Sequence, residues 1–138
     1  MQTVIIYTDG GARNNPGPAG AGVVIQDGTK KIELKKFLGN QTNNWAEYEA
    51  IILALSEAKK RGLSGREIEI RMDSELIQRQ LINQYQIKEE TLWPQYIKVH
   101  NLLVAHFPHI TFVHIPRAQN AEADRLVNEA IDEAASSA

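Results

Sequence analysis

Four carboxylates stand where packing alone does not want them. Asp9 ends the apolar run Thr3–Thr8, and Asp73 ends the alternating run Glu67–Met72. Glu47 precedes Ile51 and Leu55 at helical spacing, so it borders an inward stripe. Asp124 borders another, two helical turns before Ile131. Each has an ordinary alternative: a turn at Asp9-Gly10, an N-cap at Asp73-Ser74, a capping box from Asn44 to Glu47, and a macrodipole contact for Asp124. If the four converge, like charges about 4 Å apart repel by about 4 kcal/mol at an effective dielectric near 20. Such a cluster must hold protons or a multivalent cation. The chain has no cysteine, and an all-oxygen donor set suits Mg²⁺ or Mn²⁺ better than Zn²⁺.

Convergence depends on the elements that carry these acids. Strands are expected at Thr3–Thr8, Ala21–Gln26 and Lys31–Phe37, the last two joined through Asp27-Gly28. The intervening GGARNNPGPAG reads as loop. A helix from Asn44 to Arg61 is closed by Gly62, with Trp45, Tyr48, Ile51, Ile52, Leu55 and Ala58 inward. Then follow a strand at Glu67–Met72, a short helix capped by Ser74, a helix from Thr91 to Phe107 with Pro94 in its first turn, and a strand at Ile110–Ile115. Asn120 is expected to cap a closing helix, and the terminal Ala-Ala-Ser-Ser-Ala to fray. The order β-β-β-α-β-α-α-β-α predicts an α/β fold: a mixed five-stranded sheet, three antiparallel strands and then parallel crossovers, flanked by about four helices. The C-terminal ends of the first and fourth strands then share the edge where α/β sheets bind ligands.

With 138 residues, no internal repeat and no linker, residues 1–138 read as a single domain. No apolar run is long enough for a membrane span, and the start lacks a signal-peptide pattern, so a cytoplasmic protein is expected. The net charge of −2 argues against a nucleic-acid partner on its face. Its distribution matters more: residues 1–117 carry 14 Lys/Arg against 12 Asp/Glu, whereas residues 118–138 carry Arg125 against five acids. Lys30, Lys31, Lys35 and Lys36, with Lys59, Lys60 and Arg61, leave room for a basic face or for solvated lysines.

Thr8-Asp9-Gly10-Gly11, followed by Asn15-Pro16-Gly17-Pro18-Ala19-Gly20, resembles the opening signature of type 1 ribonuclease H. The likeness extends through Thr42-Asn43-Asn44-Trp45-Ala46-Glu47, Asp73-Ser74, and His114-Ile115-Pro116-Arg117 with Asn120, Ala123 and Asp124. It spans essentially the whole chain, from Thr8 to Asp124, in the right order. The resemblance implies a ribonuclease H-like fold and an endonuclease cutting the RNA strand of RNA/DNA hybrids. It implies Asp9, Glu47, Asp73 and Asp124 as metal-binding catalytic acids, two-metal-ion in-line attack, and 5′-phosphate and 3′-hydroxyl products. It further implies that Gly10, Gly11, Ala12 and Glu47 read the 2′-hydroxyl, that Asn15, Asn43 and Asn44 contact the minor groove, and that Thr42 holds a DNA-strand phosphate. An auxiliary role falls to His114, ten residues before Asp124, or to Arg117.

Two departures bear on affinity. The segment Asn83–Trp93 lacks the Lys- and Trp-rich protrusion of some bacterial members, which predicts weaker hybrid binding. Glu75 adds a carboxylate after Asp73-Ser74. Trp45 and Trp93 read as packing residues rather than base-stacking platforms. A monomer is expected. Competing functions are a DNA-cutting nuclease of the same fold and a non-catalytic hybrid-binding module.

Overall fold

The structure, a computed structural model, describes residues 2–137. β1 (Val4–Ala12), β2 (Gly17–Asp27) and β3 (Lys30–Gln41) form an antiparallel meander. β4 (Ile68–Met72) and β5 (Ile110–His114) extend it in parallel, giving the order β3-β2-β1-β4-β5. α1 (Asn43–Lys60) crosses from β3 to β4, and α2 (Glu75–Leu81) and α3 (Trp93–His106) lead from β4 to β5. α4 (Ala121–Ser136) closes the fold. The mixed five-stranded sheet with four α-helices is the architecture expected from element order.

The alternation in the strands sorts residues between two helix layers. Val4, Ile6, Val23, Ile25, Ile68 and Ile70 pack in one core with Tyr48, Ile51 and Leu55 of α1. On the other face α4 lies across β2 and β3, burying Ala123, Leu126, Val127, Ala130 and Ile131. Trp45 packs against the core as expected, whereas Trp93 is exposed and meets Tyr96 edge-on.

The acidic C-terminal segment has a structural use. Lys31 pairs with Glu122, Lys35 with Glu129 and Glu133, and Arg125 with Glu33, so α4 is sewn to β3 by exposed ion pairs. Lys31 and Lys35 are therefore neutralised by α4 rather than offered as a basic face.

Several local expectations change. The Gly/Asn/Pro-rich segment is mostly strand: Gly10 pairs with Ala21, Gly11 with Gly20 and Ala12 with Ala19, leaving residues 13–16 as the bend. Small side chains let this ladder form while helices close over both faces, so Asp9 lies within β1 instead of ending it. The β2–β3 turn is Gly28-Thr29, with Gly28 at φ +62° between the paired Asp27 and Lys30. Thr42, not Asn44, caps α1, its hydroxyl accepting from the N–H of Trp45 at 3.2 Å. Asn120 makes no cap bond to α4. Helix continues through Ser136, where fraying was expected, with Ser136 and Ser137 hydroxyls bonded to preceding carbonyls; Ala138 lies outside the described residues. Ser74 does cap α2, and Gly62 adopts φ +76° after α1.

Candidate active site

Asp9 is held by the β1 ladder opposite Gly22, and Asp73 follows the last residue of β4. Because β1 and β4 are parallel and pair through Tyr7 and Arg71, both acids arrive at the same edge. The other two are carried by helices, and glycines let those helices come close. A Cβ on Gly10 would lie 2.2 Å from the carbonyl carbon and oxygen of Ala46, so only glycine admits the α1 backbone here. Glu47 follows directly, and its carboxylate accepts the N–H of Gly10. On the opposite face a Cβ on Gly22 would fall 2.3 Å from the carbonyl oxygen of Ala123. That approach brings in Asp124.

Asp9, Glu47 and Asp73 each present a carboxylate oxygen within 4.8 Å of the others. Asp124 is close enough for its charge to act on Asp9. All four line an open cleft of about 540 Å³. Asp9 is only 8% exposed. Burial, followed by repulsion from Asp73 and Asp124, pushes its pKa from 3.8 up to about 7. Burial of the Glu47 carboxylate, reinforced by Asp9, raises its pKa as well, against the opposing pull of the Gly10 N–H. Carboxylates raised in this way are poised to take a cation in place of protons. The donor set is all oxygen, which fits a hard divalent ion. The capping-box alternative for Glu47 fails, since its carboxylate bonds Gly10 across the fold rather than the start of its own helix.

The remaining expected site residues divide into two groups. Gly10, Gly11, Ala12, Asn43, Asn44 and Arg117 line the cleft with the acids. Asn15 and Thr42 do not line it: the side-chain oxygen of Asn15 accepts from the N–H of Asn43 at 3.0 Å, and Thr42 caps α1. The N–H groups of Gly10 and Ala12 are already used, by Glu47 and by Asn43 Oδ1 at 2.8 Å. His114 is exposed at the end of β5, paired in register with Met72, and does not line the cleft. Glu75 begins α2, exposed and outside the lining.

Sequence reasoning missed Arg13, which lines the cleft and anchors it to α4 through Asp132 at 2.7 Å and Asn128 at 3.1 Å. It also misassigned Asn120, a buried amide that bonds Thr8 and Asp73. Neither pairing has a local signal, because the partners lie far apart in the chain.

A mixed sheet of this order, with one acid in a strand, one just after a strand and two on helices meeting at one edge, defines the ribonuclease H-like class. Comparison with known proteins agrees. The family model described as "Reverse transcriptase-like" matches residues 7–130. LC11-RNase H1, solved in complex with an RNA/DNA hybrid, is 51% identical, with a TM-score of 0.91 covering 96% of this chain and 99% of that one. RNase H1 of Halobacterium salinarum superposes with a TM-score of 0.88 at 38% identity, over 96% of this chain and 99% of that one. The chain thus belongs to the reverse transcriptase-like family, as a type 1 ribonuclease H domain of the ribonuclease H-like superfamily. A bifunctional protein of Mycobacterium tuberculosis is 41% identical over 138 residues, 98% of this chain. This chain spans 37% of that relative's length and 64% of Halobacterium salinarum ribonuclease HI. No helix among the described residues is long and apolar enough to cross a membrane.

Proposed function

We propose that residues 1–138 are a divalent-cation-dependent endoribonuclease that hydrolyses the RNA strand of RNA/DNA hybrids, leaving 5′-phosphate and 3′-hydroxyl ends. The observation that carries this reading is the carboxylate cluster itself: oxygens of Asp9, Glu47 and Asp73 within 4.8 Å of one another, with Asp124 lining the same cleft. A binding module has no use for such repulsion. The structure of a relative 51% identical holds an RNA/DNA hybrid, which supports the substrate class.

Asp9, Glu47, Asp73 and Asp124 would hold Mg²⁺, with Mn²⁺ as a substitute. Cations held there would supply Lewis-acid polarisation of the scissile phosphate and a water of lowered pKa, the chemistry that in-line displacement needs. The protein's own groups choose and orient the strand. The N–H groups of Gly10 and Ala12 are engaged, so reading of the 2′-hydroxyl falls to the Glu47 carboxylate and the asparagines. Asn43 accepts from Ala12 through Oδ1 and keeps its amide N–H₂ as a donor. Asn44 donates to Glu89 at 2.7 Å and keeps its carbonyl as an acceptor. Gly11 lines the cleft with no side chain to fill it, and Asn15 and Thr42 fix the start of α1. Arg117, not His114, supplies the auxiliary charge, since Arg117 lines the cleft.

Matched labelled duplexes of RNA/DNA, RNA/RNA and DNA/DNA, incubated with Mg²⁺, Mn²⁺ or EDTA, test the reading. Cation-dependent cutting of the hybrid's RNA strand is expected. Preferential cutting of DNA/DNA, or retention of hybrid without cutting in either cation, overturns it. Action as a cytoplasmic monomer belongs to the same proposal, and cell fractionation with size-exclusion chromatography checks both points.

A further inference from the structure

The side chain of Asn120 joins three of the elements that carry the acids. It sits in the short 3₁₀ turn Arg117–Asn120, immediately before α4, and is 1% exposed. Its Nδ2 donates to the carbonyl oxygen of Thr8 at 2.9 Å, at the residue preceding Asp9. The same nitrogen reaches Asp73 Oδ2 at 3.4 Å. Four residues on along α4 stands Asp124. One amide nitrogen therefore touches β1 beside Asp9, touches Asp73 itself, and roots the helix of Asp124.

The other end of the amide carries the argument further. Asn120 Oδ1 is buried and has no hydrogen-bond partner among the described residues. Buried polar atoms are almost always satisfied, so a stranded acceptor signals a constraint imposed by something else. Flipping the amide would not relieve it, because Oδ1 would then face the oxygens of Thr8 and Asp73. The orientation is dictated by the acceptors on the active-site side. As a cap for α4, the role its position in the sequence suggests, Asn120 contributes no bond.

We propose that Asn120 is a positioning residue that fixes Asp73 and the Asp9 segment relative to α4, and so sets the affinity of the acid cluster for its divalent cation. The inference rests on the cation-dependent reading above. A buried amide donor to a ligand carboxylate holds the rotamer that the ion requires. Loss of such an outer partner weakens metal affinity by roughly tenfold to a hundredfold.

The test titrates Mn²⁺ alone into metal-free wild type, Asn120→Ala and a control, Tyr48→Phe, by calorimetry, beside thermal melting in EDTA. Tyr48→Phe removes a buried bond to Gln80 at 2.7 Å outside the acid cluster. For Asn120→Ala, a Kd for Mn²⁺ at least about tenfold weaker is expected. The cation concentration for half-maximal hybrid cleavage should rise in parallel, with KM for hybrid within about twofold and kcat restored at saturating cation. Tyr48→Phe should melt earlier with its Mn²⁺ affinity unchanged. If Asn120→Ala fails to fold, Asn120→Ser, which keeps a shorter donor, gives the same comparison. An Asn120 variant that melts earlier yet binds Mn²⁺ as wild type does overturns the proposal. Wild type that binds Mn²⁺ but cuts no hybrid overturns the functional reading and leaves the positioning role standing. Wild type that binds no divalent cation overturns both.

Discussion

The backbone N–H of Gly10 donates to the carboxylate of Glu47, so the residue after Asp9 in β1 grips the acid that α1 delivers. The contact exists because position 10 has no Cβ, which would lie 2.2 Å from the Ala46 carbonyl. Gly10→Ala should push α1 outward and cost about 1–3 kcal/mol in chemical denaturation. Because it also displaces Glu47, it should lower kcat/KM by more than the stability loss explains. A variant of near-normal stability and activity would show that the close approach is dispensable.

Asp9→Asn and Asp73→Asn should fold and lose cleavage. A bound metal contributes several kcal/mol of transition-state stabilisation, so the loss should reach at least about a thousandfold in kcat. Single-turnover assays with saturating Mg²⁺ measure it. Near-normal activity in either variant would remove the site assignment.

The pH dependence of metal-free stability follows from Asp9. Its pKa is raised from 3.8 to about 7 in the fold, so the folded state binds the extra proton. The stability this supplies is fully present below about pH 4 and is lost as pH rises through about 7. The shift corresponds to roughly 4 kcal/mol at most, shared with the groups that touch it. Asp27 and Glu129 are held low by Arg66 and Arg125 and stay ionised above pH 5, adding no slope there. In EDTA the protein should melt at lower temperature at pH 8 than at pH 5.5. Asp9→Asn should reduce that difference, leaving the part that buried Glu47 contributes with the same sign, and Mg²⁺ should restore stability at pH 8. A melting temperature independent of pH over this interval would contradict the raised pKa.

Arg117 and His114 should separate cleanly. Arg117→Ala removes a charge from the cleft lining and should lower kcat/KM by about tenfold, or about 1.4 kcal/mol. His114→Ala, at the exposed end of β5, should leave activity within about twofold. The reverse ranking in steady-state kinetics would return the auxiliary role to His114.

Thr42 has a stability role that can be told apart from a phosphate contact. Thr42→Ala should cost about 1 kcal/mol through the lost cap of α1. Thr42→Ser keeps the hydroxyl and should keep stability. A contact to substrate would appear as a rise in KM for Thr42→Ala measured well below its melting temperature.

Periodicity was enough for the element order and the mixed sheet, because apolar alternation and helical stripes are local properties of β1, β4, α1 and α4. The positions of Asp9 and Asp73 were legible for the same reason, one within and one just after an apolar run, and both do come to one edge of the sheet. The Gly-rich segment was not, since Gly10–Ala12 and Gly17–Gly20 look like loop until they pair with each other and receive helices on both faces. Asn120 carries the commonest helix-cap signal yet spends its amide on Thr8 and Asp73.

By itself the sequence determined which side chains are available: four acids at helix and strand positions, no thiol, and small residues at 10, 11, 20 and 22. Only the tertiary structure decided that Glu47 is held by Gly10 rather than by its own helix, that Lys31 and Lys35 answer α4, and that Arg117 rather than His114 faces the cleft. Composition and spacing act along the chain. Repulsion among carboxylates, close backbone approach and the pairing of a buried amide act through space, between residues as far apart in sequence as Thr8 and Asn120.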